Sequence, residues 1–219
     1  MTDDRKSGIA LIAGSLGGVF TMAIHPTGAA SLTADQVAHL AVASAAAHSL
    51  AMVSFVVLFL GGCGLARSIG APDRIAFSAI VTYGFACVAG FIATAVSGFI
   101  VPSIMRHMIL DVPATAQQWR IVIDGIFKIN QAFARIYSVA ASLAIILWSV
   151  SALRNGGFGR GVATYGCVIA PLIIVGIVIG RARLNVHAMA MVVSGQAIWS
   201  VMVGAQLYSR RPSEPAASI

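Results

Sequence analysis

Apolar residues in this chain fall in long runs, broken by short clusters of charge, proline and glycine. Six such runs stand at about residues 7–24, 34–61, 75–101, 132–153, 161–180 and 184–208. Each approaches or exceeds the roughly 20 residues a helix needs to cross about 30 Å of hydrocarbon. The apolar–polar alternation of strands is absent, which disfavours a β-barrel. The pattern predicts an all-α, polytopic transmembrane helix bundle of about six helices. They form a single domain over 1–219, with an extracytoplasmic segment at about 102–131.

Local signals sharpen the boundaries. His25-Pro26-Thr27-Gly28 ends the first run, and Thr33-x-x-Gln36 forms a capping box, with Leu32 and Val37 placed as a hydrophobic staple. The second helix should therefore begin near Ala34. Pro113 is placed to start a long element leading into the fourth span, and Pro171 should kink the fifth. Gly14 and Gly18, Gly90, Thr94 and Gly98, and Gly176 and Gly180 make small faces on which helices can approach closely. The charged start Asp3-Asp4-Arg5-Lys6 before an apolar run has the layout of a signal peptide. No A-x-A site stands close behind that run, so a retained first helix is expected. Thr82-Tyr83-Gly84 and Thr164-Tyr165-Gly166 hint at a duplicated helix pair, but their distances from the preceding arginine differ, and chance explains the tripeptide as well.

Composition agrees with the pattern. The 219 residues are 58% hydrophobic and 10% charged, with mean hydropathy +0.91, against about a quarter charged in soluble domains. The net charge of +7 sits at segment ends and not in a patch interleaved with aromatics, so nucleic acid is not an expected partner. It reads better as topology. With the N-terminus inside, Arg5, Lys6, Arg67, Arg74, Arg154, Arg160, Arg210 and Arg211 are cytoplasmic, and Arg106, Arg120, Lys128, Arg135, Arg181 and Arg183 lie outside. An N-in, C-in protein follows. Cys63, Cys87 and Cys167 match no zinc or redox spacing and are expected as packed free thiols.

Candidate chemistry concentrates on the fourth span. At 100° per residue, Asp124, Lys128, Gln131, Arg135, Ser138, Ser142 and Ser149 fall within about 40° of one line. Facing lipid, a central Arg costs about 2.5–3.5 kcal/mol, so the stripe should look onto protein or water and wall a cavity. The competing reading has Lys128 and Arg135 snorkelling to headgroups while the serines bond their own helix. All five histidines, His25, His39, His48, His107 and His187, map to the outer half, which raises a metal or haem site; His187 also shares a face with Met191, and Met105 and Met108 flank His107. His39 and His48 point to opposite faces of one helix and cannot share an ion there. His48 should lie well inside the membrane along its span, a candidate for function or for a simple hydrogen bond to a neighbour. No GxSxG, P-loop or dinucleotide fingerprint occurs, and neither an intramembrane acidic pair nor a voltage-sensor arginine ladder is present.

The Arg5-Lys-x-Gly-Ile-Ala-Leu-Ile-Ala-Gly14 entry, the six-helix order and the polar run opening the fourth helix resemble a bacterial membrane-protein family described only as a domain of unknown function. The resemblance implies a bacterial inner-membrane location and supplies no site residues. The leading expectation is binding or transport of a small solute, an anionic one or a lipid headgroup, in an outward-facing pocket of Lys128, Gln131, Arg135, Ser138 and Ser142, with His48 and His187 contributing. Alternatives are a metal- or haem-dependent enzyme or electron carrier, and a subunit that meets a partner chain or a second copy of itself. The cofactor, if there is one, is not readable from these residues.

Overall fold

A computed structural model describes residues 3–26, 33–70, 73–110, 113–179 and 184–210. The expectations on Thr27, Gly28, Leu32, Gly180, Arg181, Arg183 and Arg211 lie outside these. The described chain is an all-α bundle, with α1 Asp3–Ala23, α2 Ala34–Ile69, α3 Arg74–Ala95, α4 Val101–Leu110, α5 Pro113–Asn155, α6 Arg160–Val178 and α7 Val186–Ser209. A π-helical turn, Val96–Ile100, joins α3 to α4, so these form one span. Among the described residues, six helices are long and apolar enough to cross a membrane, and the chain is an integral membrane protein.

Start signals are used as the sequence reads. Thr33 accepts from Gln36 N while its own N–H donates to the Gln36 side chain, the full capping box of α2. Asp73 caps α3 through Ile75 and Ala76 N–H, and Asn185 caps α7 through Ala188 N–H. Pro102 has no N–H to offer Gly98 O, and just before it the ladder widens, with Val101 N bonded to Val96 O.

The start of α1 and the end of α7 lie at one end of the bundle, here the proximal end. Arg5 donates to Tyr208 O at 3.1 Å and stands over the Tyr208 ring, and Arg210 pairs with Asp4 at 3.2 Å. The helices differ greatly in length. At 1.5 Å per residue, the 21 residues of α1 and 19 of α6 reach about 30 Å, one bilayer, while the 36 of α2 and 43 of α5 reach about 54 and 65 Å. Described residues of α4 and the first half of α5 extend the bundle distally as helix, and Gly125 does not break α5.

Packing joins α1 to α2 and α7, and α5 to α3 and α6. Glycine makes two of these contacts possible. A methyl added at Gly8 would collide with Gly204 O, and one at Gly14 with Leu58 and the α2 backbone. Gly176, by contrast, faces open space. The core is aromatic at its proximal half, where Trp148 stacks on Trp199 with ring centres 6.0 Å apart, and Tyr83 and Phe158 close on that pair.

Candidate functional site

A cavity of about 350 Å³ runs inside the bundle between α1, α2, α3, α5 and α7, within the size range of small-molecule sites. Its proximal wall is apolar and aromatic, built from Leu11, Leu58, Tyr83, Tyr137, Trp148 and Trp199. The distal wall is polar and uncharged, with Thr21, His25, His48, Thr94, Ser97, Asn130 and Gln131. At that end the lining includes the exposed Phe127 and Asn185. Among the described lining residues there is no Asp, Glu, Lys or Arg.

The sequence-predicted residues divide into three groups. Gln131 and His48 line the cavity. Gln131 also ties α5 to the start of α7, donating to Leu184 O at 3.0 Å. Ser138 and Ser142 face inward but do not reach the lining. Both are fully buried, and Gln196 of α7 donates to Ser142 Oγ at 3.0 Å and Ser138 O at 3.3 Å. They hold Gln196, which is itself a wall residue. Ser149, likewise fully buried, accepts from Trp199 Nε1 at 3.1 Å.

Lys128, Arg135 and His187 are exposed and lie outside the lining, so this cavity does not gather the cations expected with Gln131. Lys128 pairs with Asp124 at 2.8 Å one turn away, in the distal extension where fewer neighbours cover the helix. Arg135 lies at the edge of the polar stripe, about 40° from Gln131, and turns outward. Drawing its guanidinium into an uncharged cavity would cost several kcal/mol of hydration with no carboxylate to offset it.

The cavity face of α5 is Asn130, Ala134, Tyr137, Ala141 and Trp148, rotated by about 80–90° from the serine line. Small and apolar positions carry no chemical signature, so sequence reasoning passed over this face. It also missed Ser15, Thr94 and Ser97. What distinguishes some of these is visible only in three dimensions. Among the described residues, the buried side-chain polar atoms without a hydrogen-bond partner are Ser15 Oγ, Asn130 Oδ1 and Trp148 Nε1, and all three residues line this cavity. Ser15 and Trp148 are each only 3% exposed. An unpaired group of this kind costs roughly 1–3 kcal/mol.

The histidines separate as the helix geometry requires: His39 is exposed and His48 buried at 5%. His107 stacks on Trp119, far along the extension. His25, beyond the end of α1, closes on His48 edge to face with ring centres 4.9 Å apart, a pairing that sequence spacing does not disclose. Burial pushes the His25 imidazole below its ordinary range, against a smaller opposing effect of its bond to Pro26 O. Among the described residues no three His, Cys, Asp or Glu side chains converge, and Cys63, Cys87 and Cys167 are free thiols. The chain matches no protein-family model, no curated protein and no solved structure.

Proposed function

We propose that this protein binds a small, neutral and largely apolar molecule in the cavity inside its helix bundle. The observation that carries the reading is that Ser15 and Trp148, each holding a buried polar atom unpartnered among the described residues, both line one mostly apolar cavity. A few orienting polar groups in an apolar chamber is the usual composition of a small-molecule site. The uncharged lining moves the ligand class from an anion or headgroup to a neutral molecule. Clustering of Arg5, Arg67, Arg74, Arg154, Arg160 and Arg210 at the proximal end supports placing that end in the cytoplasm of a bacterial inner membrane. The cavity's polar half is then outward.

Tryptophan fluorescence tests it. Trp148 and Trp199 are 3% and 1% exposed and line the cavity, so brominated lipid cannot touch them while a small bromoaromatic inside can. In a Trp119→Phe background in nanodiscs, 4-bromoanisole should quench saturably and brominated phospholipid should not. Ala141→Leu, which fills the cavity from a wall position, should weaken quenching at least about tenfold without lowering thermal stability. Non-saturable quenching, equal in the two proteins, would remove the reading.

A further inference from the structure

Two imidazoles at the distal end of the cavity have only half their hydrogen-bonding capacity engaged. Nδ1 of His25 lies 3.1 Å from Pro26 O, and Nδ1 of His48 lies 2.7 Å from Ser44 O. A carbonyl oxygen can only accept, so in each ring Nδ1 carries the hydrogen. The Ser44 hydroxyl is already donated to Ser97 O at 3.2 Å and does not compete for that role. A neutral imidazole has a single N–H, which leaves each Nε2 as a bare lone pair. Among the described residues neither Nε2 has a hydrogen-bond partner, and both rings line the cavity.

The surroundings hold the pair in place. Gly98, in the π-helical turn, passes so close to His48 that a methyl there would collide with its Cβ and Cγ. From α5, Asn130 donates its amide to Ser97 Oγ at 2.8 Å and leaves Oδ1 buried without a donor. The distal end therefore offers two ring nitrogens lacking a hydrogen, beside a third acceptor, Asn130 Oδ1, that is buried. An anion would set its own lone pairs against them. A full cation would lose its hydration with no carboxylate on the described lining to replace it.

We infer that the distal end of the cavity recognises the hydroxyl donor of a neutral amphipathic alcohol or phenol, with Nε2 of His25 and of His48 as acceptors. The apolar body of such a molecule extends toward Tyr137 and Trp148. This rests on the cavity being a binding site, as proposed above, and adds the polarity of the group it selects. A site built to pair with a hydroxyl discriminates against an analogue that lacks one, because its buried acceptors are then left unpaired.

A matched pair of probes tests this in the full chain. 4-Bromophenol and 4-bromoanisole share a ring and a bromine, and only the phenol carries a donor. Each is titrated at pH 7 into wild-type protein, His25→Leu and His48→Leu in nanodiscs, all in the Trp119→Phe background. Tryptophan quenching gives the affinities and circular dichroism checks folding. The phenol should bind at least about tenfold tighter than the ether in wild type, and its advantage should fall below about threefold in each variant. Comparing ratios between proteins cancels unequal partition of the probes into lipid. Two replacements guard against misfolding, since His25 lies outside the helices while His48 packs on Gly98. Saturable binding of both probes, with an advantage that neither replacement alters, would overturn the donor inference and leave the cavity reading standing. Saturable binding of neither would overturn both.

Discussion

Ser15 and Trp148 are where residue chemistry and architecture disagree, and the disagreement is informative. Several other described polar groups inside the bundle are paired locally: Thr21 bonds Gly17 O, Ser54 bonds Leu50 O and Thr94 bonds Gly90 O within their own helices. Asp73 shows how tightly the paired groups are used. Its carboxylate caps α3 and accepts from the fully buried Ser151 of α5, and that hydroxyl, first among the causes, holds the carboxyl below its ordinary range. A group more easily ionised in the folded than in the unfolded chain releases its proton on folding. Its stabilisation is therefore complete above the unfolded pKa of about 3.9 and disappears as pH falls through the lower folded value. Asp73→Ala should cost about 1 kcal/mol at neutral pH. In denaturant titrations the gap between variant and wild type should close below about pH 4. Much at this scale was readable in advance, including the Thr33 capping box and the inward serines of α5. The orphaned atoms were not, because being unpaired is a property of neighbours brought from other helices.

Among the elements, α5 shows both what periodicity reveals and where it stops. The serine line identified an inward face correctly in direction, yet that face is filled by Gln196 and Trp199 from α7. The open face lies a quarter-turn away, on alanines that make room and not contacts. Element lengths follow a related rule. Hydropathy marks where lipid ends, whereas a helix ends only where caps and breakers end it, so α5 runs back to Pro113 through polar sequence. The glycine faces were legible as contact signals but not as to partner. Gly204 meets Gly8 backbone to backbone between α1 and α7, and although the Ile12 side chain beside it could shift, the Gly8 carbonyl could not without moving the helix. Gly204→Val should destabilise the bundle by roughly 1–3 kcal/mol, read as a lowered midpoint in detergent unfolding. The same replacement at Gly176, which faces open space, should change the midpoint little.

At the scale of the molecule, the described residues form three long helical spans and three short ones, in a bundle whose interior is closed by stacked aromatics proximally and reaches a polar end distally. The six-span membrane architecture was plain from the sequence, since apolar runs of bilayer length have few other uses. The pairing of His25 with His48 was hidden, because it depends on how the end of α1 returns onto the middle of α2. The central claim is that this interior space is a ligand chamber and not a packing defect. Anomalous bromine scattering from crystals of the full chain soaked in 4-bromophenol tests it most directly. The account predicts one strong peak inside the bundle, in the chamber bounded by Trp148 and Tyr137 on one side and the His25–His48 pair on the other. Peaks confined to the lipid-facing perimeter, with an interior free of bromine, would contradict it.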